Sequence, residues 1–315
     1  MTSVVIIGFG GIGKRHYESC LKNKFVKKIY IIDNNNKQFN NYNFSIEKKT
    51  IIVLNKIVPI AETIFLTIVS TNSNVRYKVT LEFLRTNICK NIIFEKFLFN
   101  RLSEYNYMSI VLKKKNIKAY VNCNRRLSKD YISIKKKYYN KILGIKIIGN
   151  NWGFLSNCIH SIDLFSFLID LSKPKLTLES LNIEKMIPSK RNGYLELQST
   201  INIKSNNIFL SISDSKIHNE NKILIYFKDK ILNILEIKNH MFFYSLVTKK
   251  NYAKTNFSNF YVSSTTNIAI NNIIKYDNAG LVSFNESVIH HKFFLKSLIN
   301  KFRTNKLNIN NLKFT

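Results

Sequence analysis

The chain is short of glycine, proline, cysteine, acidic residues and long apolar runs, and several of these shortages exclude a class of protein. Its four cysteines, Cys20, Cys89, Cys123 and Cys158, are scattered and include no C-x-x-C pair. That excludes a disulfide framework and a cysteine-held metal site; reduced thiols and no bound metal are expected. No run approaches the eighteen or more apolar residues of a membrane span. The first apolar run is one strand long and leads straight into glycines, unlike a secretory signal. A soluble, cytoplasmic protein with no membrane partner is expected. Apolar residues make up 45% of the chain, enough to bury a core, which argues against wholesale disorder.

Acidic residues number 19 against 49 lysines and arginines, a formal charge of +30. Such an excess ordinarily points to nucleic acid or an anionic surface. Here Lys, Asn, Ile, Phe and Tyr dominate along the whole length while Gly and Pro are depleted, the signature of A/T-biased codons. The runs Lys113-Lys114-Lys115 and Lys135-Lys136-Lys137 read as solvated helix faces. No RNP motif, zinc spacing or basic helix with a defined face is present, so no nucleic-acid partner is expected.

The chain has nine glycines where average usage predicts about twenty-two, yet four of the nine fall between positions 8 and 13. The run Val4-Val5-Ile6-Ile7-Gly8-Phe9-Gly10-Gly11-Ile12-Gly13 is an apolar strand followed by a G-x-G-x-x-G turn. Gly8 permits the tight turn, Gly10 lets main chain approach a diphosphate, and Gly13 allows close helix–strand packing. The following helix offers free N–H groups and a positive dipole end to phosphates. A second strand, Ile29 to Ile32, ends in Asp33, twenty residues past Gly13, where a carboxylate accepts hydrogen bonds from adenosine ribose hydroxyls. Gly8, Phe9, Gly10, Gly11, Ile12, Gly13 and Asp33 are therefore candidate dinucleotide-binding residues. Three asparagines and no arginine follow Asp33, which favours NAD; Lys37 keeps NADP open.

Short apolar runs alternate with amphipathic segments to about residue 122, the βαβ pattern. Strands are expected at 51–54, 64–69, 91–94 and 117–121, with helices at 74–85 and 102–115. Beyond lie a lysine-rich helix at 127–140, a strand at 142–148 and an apolar helix at 159–169. From Pro174 strand-like segments follow one another with little helix between them, until an amphipathic helix at 285–302. The expected fold is α/β: a doubly wound parallel Rossmann sheet in 1–122, then an α/β domain in 123–315 with a large, mostly antiparallel open sheet.

Three clusters carry further chemistry. Ser70-Thr71-Asn72 follows the strand ending at Val69, where strand ends border the ligand crevice; these are candidate hydrogen-bonding groups for the cofactor, and the segment also suits a helix N-cap. Glu95-Lys96 ends the next strand: Lys96 is a candidate general acid or base for a carbinol proton, and Glu95 a partner for the nicotinamide ribose. His160 and Asp163 lie three apart on one face at the start of a predicted helix.

In order, GFGGIGKRH at 8–16, Asp33, STN at 70–72, EK at 95–96, NRR at 124–126 and IHSID at 159–163 resemble the Gfo/Idh/MocA family (glucose–fructose oxidoreductase/inositol dehydrogenase). SKRNGYLELQST at 189–200 is similar to members found among sugar-biosynthesis enzymes. The resemblance implies a nicotinamide cofactor, a sugar, polyol or nucleotide-sugar substrate, and a homodimer or homotetramer formed through the open sheet. It makes Lys96 and His160 the catalytic pair and Arg125, Asn157 and Asp163 candidate substrate contacts. The implied activity is NAD(P)-linked oxidation or reduction of a CH–OH group, in surface-polysaccharide sugar synthesis. Two positions depart from the family: Phe97 replaces a proline, which is expected to loosen the loop, and Ser156 replaces an acid four residues before the histidine. A catalytically degenerate sensor or scaffold that keeps the nucleotide site is the alternative these departures raise.

Overall fold

The computed structural model describes residues 2–40, 42, 44, 49–170, 175–189, 193–258 and 261–304. Residues 190–192 of the SKRNGYLELQST segment lie outside the described residues. The first elements are β1 (Thr2–Ile7), α1 (Gly11–Lys22), β2 (Val26–Ile32), β3 (Thr50–Leu54), β4 (Ile64–Val69) and α2 (Ser73–Thr86). Next come β5 (Cys89–Phe94), α3 (Leu102–Lys114), β6 (Lys118–Val121), α4 (Lys129–Tyr138), β7 (Gly144–Gly149) and α5 (Phe154–Leu168). Seven strands follow: β8 (Thr177–Pro188), β9 (Leu195–Ser205), β10 (Ile208–Asp214), β11 (Lys222–Tyr226), β12 (Lys230–Leu235), β13 (His240–Ser245) and β14 (Asn251–Asn256). The chain ends with α6 (Val262–Tyr276), β15 (Val282–Ser283) and α7 (Phe284–Thr304).

Two compact units divide these elements: residues 1–127 with 260–287, and residues 128–259 with 288–315. In the first, strand order is β15-β6-β5-β4-β1-β2-β3, every pair parallel except β15 against β6. The central strands are largely buried, and their sequences are accordingly rich in apolar residues. Val4, Val5, Ile6, Leu66 and Ile68 are all 0% exposed. Each such side chain contributes about 1.5–3 kcal/mol.

The split expected at 122/123 needs correction, because residues 260–287 return to the first unit. Ala269, Ile270 and Ile273 of α6 join the core of Val4, Ile6, Ile29 and Ile31, and Asn23 at the end of α1 donates to Asn267 (2.6 Å) and Asn271 (2.9 Å). This helix falls where strands with little helix were expected. β15 adds a seventh, antiparallel strand to the six that the alternation predicts.

The second unit holds an eight-stranded sheet, β14-β13-β12-β11-β7-β10-β9-β8. Only the β7–β10 pair is parallel, so the sheet is mostly antiparallel, as the strand-rich second half predicts. Inward residues alternate along β10, where Leu210 and Ile212 are 0% exposed. α5 packs against β7, β9 and β10, with Leu155, Ile159 and Ile162 buried. No helix of the described residues is long and apolar enough to cross a membrane. No group of three or more His, Cys, Asp or Glu among them is arranged to hold a metal.

Candidate functional site

The turn after β1 is set by what glycine lacks. Gly8 has φ +94°, and a Cβ on it would stand 2.8 Å from the Thr71 nitrogen. A Cβ on Gly13 would stand 2.0 Å from the Gly8 carbonyl oxygen, so α1 packs on the turn only with a bare main chain there. Gly10 and Gly11 are different: nothing lies within 4 Å of a Cβ built on either. Their open side, at the first turn of α1, is a cradle of the kind a diphosphate fills. Ile12 stands between them and Gly13 in the first turn of the helix.

Asp33 directly follows β2 and fixes this turn from the side. Its Oδ2 accepts from the Phe9 N–H at 2.6 Å and its Oδ1 from the Asn35 N–H at 2.8 Å. Ser70 hydroxyl donates to the Gly8 carbonyl at 2.7 Å, joining the ends of β4 and β1. Phe9 side chain is fully buried among Tyr17, Phe39, Tyr42 and Phe44, with ring centroids 5.2–5.9 Å away. Asn72 occupies the cap position of α2 without a capping bond from its side chain. A cavity of about 300 Å³ opens beside the turn, lined by Gly8, Asp33, Asn34, Lys56, Thr71 and Val75 among others. Open main chain, helix N-terminus, carboxylate and cavity together fit a dinucleotide: Gly10 and Gly11 would take the diphosphate and Asp33 the ribose.

Glu95 and Lys96 follow β5 on the same edge. Glu95 is only 7% exposed, and its Oε1 lies 3.0 Å from His16 Nε2 and accepts from Asn122 Nδ2 at 2.5 Å. His16 Nδ1 is in turn 2.8 Å from Thr266 Oγ1 on α6. Burial alone would raise the Glu95 carboxyl; the His16 and Asn122 hydrogen bonds and the charges of His16 and Lys96 outweigh it and hold the group below 4.5. One network thus ties the helix after the glycine turn to the residue preceding Lys96.

Arg76, in the first turn of α2, is the residue here that the sequence reading missed. It is 2% exposed and donates to the carbonyls of Thr71, Phe97 and Leu98, bridging the loops after β4 and β5. The loop expected to be loosened by Phe97 is instead held: Phe97 is 0% exposed and its carbonyl accepts from Arg76. An arginine in a chain with 49 lysines and arginines gives no signal of this. Arg125 stands half-buried in a short 3-10 turn, Asn124–Leu127, while its neighbour Arg126 pairs with Glu286 at 2.5 Å.

His160 and its neighbours belong to the second unit. α5 begins at Phe154, five residues earlier than expected, which puts His160 in the second turn. Asn157 Nδ2 donates to the Trp152 and Gly153 carbonyls at 2.7 and 3.1 Å. Asp163 is 1% exposed and its Oδ1 lies 3.7 Å from His290 Nδ1. Both groups, expected to meet substrate, are thus engaged within their own unit: the Asn157 amide nitrogen secures the start of the helix, and the Asp163 carboxylate lies in the interior. Asp214 accepts from the Trp152 and Gly153 N–H groups at 3.2 and 3.0 Å, and burial raises its carboxyl above 3.8 against those bonds. Glu196 accepts from the Leu155 and Ser156 N–H groups at 2.7 and 3.2 Å and from the Ser156 hydroxyl.

The model of the Gfo/Idh/MocA oxidoreductase family, an NAD-binding Rossmann fold, matches residues 2–123. Those residues belong to the Gfo/Idh/MocA oxidoreductase family. NAD is accordingly the cofactor class of this domain. No curated protein matches the chain in sequence. Among solved structures, putative oxidoreductase YvaA from Bacillus subtilis superposes with a TM-score of 0.72 at 14% identity, over 96% of this chain and 97% of that one. The UDP-N-acetylglucosamine 3-dehydrogenase GnnA from Acidithiobacillus ferrooxidans does so at 0.66 and 9%, over 95% and 97%. Transcriptional regulator Gal80p from Kluyveromyces lactis reaches 0.73 at 16%, over 96% and 90%. At these identities the likeness is one of fold, and the proteins that share it include both a dehydrogenase and a regulator.

Proposed function

We propose that this Gfo/Idh/MocA protein is an NAD-linked oxidoreductase acting on a sugar, polyol or nucleotide-sugar carbinol or ketone. The observation that carries the reading is the open main chain at Gly10 and Gly11, backed by Asp33, on the sheet edge where Glu95-Lys96 also ends a strand. Nicotinamide, when bound, accepts or supplies the hydride. Lys96 takes or gives the hydroxyl proton, and its ammonium steadies the oxygen as charge develops. His160 orients that oxygen, a role that draws on placement more than on an unusual proton affinity. Glu95 keeps the strand end in register through His16 and Asn122, leaving its second oxygen for a ribose hydroxyl. Asp33 disfavours a 2′-phosphate by charge repulsion, which selects NAD over NADP. Arg125 is a candidate contact for the substrate, and the eight-stranded sheet a candidate surface for a second copy.

A sensor or scaffold reading has one observation of its own, Ser156 where the family places an acid, and the fold likeness to Gal80p is compatible with it. An NADH titration, with a panel of UDP-N-acetylglucosamine, UDP-glucose, glucose and myo-inositol followed by NADH absorbance, separates the two. Turnover of any member supports the enzyme; binding without turnover supports the sensor. Lys96→Ala is expected to abolish turnover with NADH affinity within about two-fold of wild type, and unchanged turnover would refute the role of Lys96.

A further inference from the structure

We propose that Glu196 is a positioning residue for His160: through Ser156 it supplies the carboxylate that α5 lacks one turn before that histidine. The proposal rests on the hydride-transfer reading above for its effect on turnover, and on geometry alone for the placement of the charge.

Ser156 precedes His160 by four residues, one helical turn, so the two side chains rise from the same face of α5. Glu196 reaches that turn from β9, a neighbouring element in space and 40 residues away in sequence. It is 5% exposed, and both of its oxygens are used: Oε2 takes the Leu155 N–H at 2.7 Å, while Oε1 takes the Ser156 N–H at 3.2 Å and the Ser156 hydroxyl. The charge thus rests on the side chain at the position one turn before His160.

The helix makes room for it. Its N-cap is Gly153, with φ +92°, and a Cβ there would stand 3.0 Å from Glu196 Oε1. Asp214 on the adjacent strand accepts from the Trp152 and Gly153 N–H groups that precede the helix, while the first-turn N–H groups of Leu155 and Ser156 are held by Glu196. Asp163, the carboxylate that α5 itself carries, lies 3.7 Å from His290 in the interior. A carboxylate buried at a helix start faces the backbone N–H groups and the positive end of the dipole, both of which interact favourably with its negative charge. Bonded to the Ser156 side chain, it fixes the first two turns of the helix and with them the ring of His160.

The test is a charge-relocation cycle on the full chain: wild type, Glu196→Gln, Ser156→Asp and the double variant, with Ser156→Asn as a control of equal size and no charge. Thermal melting reads the placement. Ser156→Asp alone sets two carboxylates against each other and is expected to lower Tm by about 2–5 °C, while the double variant recovers most of that loss and Ser156→Asn melts near wild type. Turnover of whichever panel substrate the wild type accepts reads the role. Glu196→Gln keeps one acceptor oxygen for the cap, so a cap alone predicts nearly unchanged turnover. Positioning by charge predicts kcat lower by about ten-fold, NADH affinity unchanged, and recovery of kcat in the double variant. Equal melting of Ser156→Asp in the two backgrounds overturns the placement, and unchanged kcat in Glu196→Gln overturns the role. Absence of turnover by the wild type on every substrate instead defeats the proposed reaction, and the melting cycle still decides where the carboxylate stands.

Discussion

Two alanines placed three residues apart are expected to do opposite things. At Gly10 the backbone is ordinary extended chain, φ −70° and ψ −171°, and no atom lies within 4 Å of a built Cβ. Gly10→Ala therefore strains nothing in the folded protein and restricts the unfolded one, worth about 0.4–1 kcal/mol in favour of folding. Its Tm is expected at or slightly above that of wild type. The same methyl group occupies the open face assigned to the diphosphate, so NADH affinity is expected to fall at least about ten-fold, or about 1.4 kcal/mol. At Gly13 the added Cβ would stand 2.0 Å from the Gly8 carbonyl oxygen and 3.0 Å from its carbon, both backbone atoms that cannot rotate away. Gly13→Ala must push α1 off the turn, an overpacking cost of about 1–3 kcal/mol or more. At about 2–4 °C per kcal/mol, Tm is expected to drop by roughly 5–10 °C. Differential scanning fluorimetry and an NADH fluorescence titration on the three proteins decide the matter. Wild-type affinity in Gly10→Ala refutes the assignment of the cradle, and an unshifted Tm in Gly13→Ala refutes the packing reason for that glycine.

Arg76→Met keeps length and removes the donors, leaving the Thr71, Phe97 and Leu98 carbonyls without that partner; at about 1–3 kcal/mol for an unsatisfied buried group, a Tm loss of several degrees is expected, with faster hydrogen exchange in the 95–99 peptide. Unchanged exchange there would remove Arg76 from the positioning of Lys96. Glu95 titrates below 4.5 in the folded protein, so its stabilisation is complete above the unfolded value and lost as pH falls through the folded one. Glu95→Gln is accordingly expected to lower stability at pH 7 and to flatten the acid limb of a stability-against-pH curve below about 4.5. A curve parallel to that of wild type would mean that the His16–Glu95 pair contributes nothing to acid sensitivity.

The parts legible in sequence were those whose signal is local. The glycine turn is a local steric pattern, and Gly8 and Gly13 each need the absence of a side chain for a reason that the flanking strand and helix already imply. Apolar runs such as Val4 to Ile7 and Ile64 to Val69, the second interrupted only by Thr67, name buried parallel strands without help from the rest of the chain. Helix α6 was illegible because its sequence, rich in Thr, Asn and Ile, carries poor helix propensity. Its helicity is stabilised by burial of Ala269, Ile270 and Ile273 and by the Asn23–Asn267–Asn271 contacts, all with residues some 250 positions away.

The same division explains the site. Lys96 and His160 stood out through their neighbours in sequence, whereas the residues that fix their surroundings came from other elements. Arg76 reaches the loop after Lys96 from α2, His16 reaches Glu95 from α1, and Glu196 reaches the turn before His160 from β9. Each of the three is charged or ionisable, each is at most 5% exposed, and each is committed to another element or loop. In a chain with 49 basic residues an isolated charge reads as solvated surface, so charge alone is uninformative here. What separates these three from the surface lysines is desolvation, which is tolerable only with partners in place. That is a property of the fold, and a departure such as Phe97 or Ser156 has to be judged against the contacts that surround it. At Phe97 a buried ring and the Arg76 bond hold the loop without the proline, and at Ser156 a carboxylate arrives from β9.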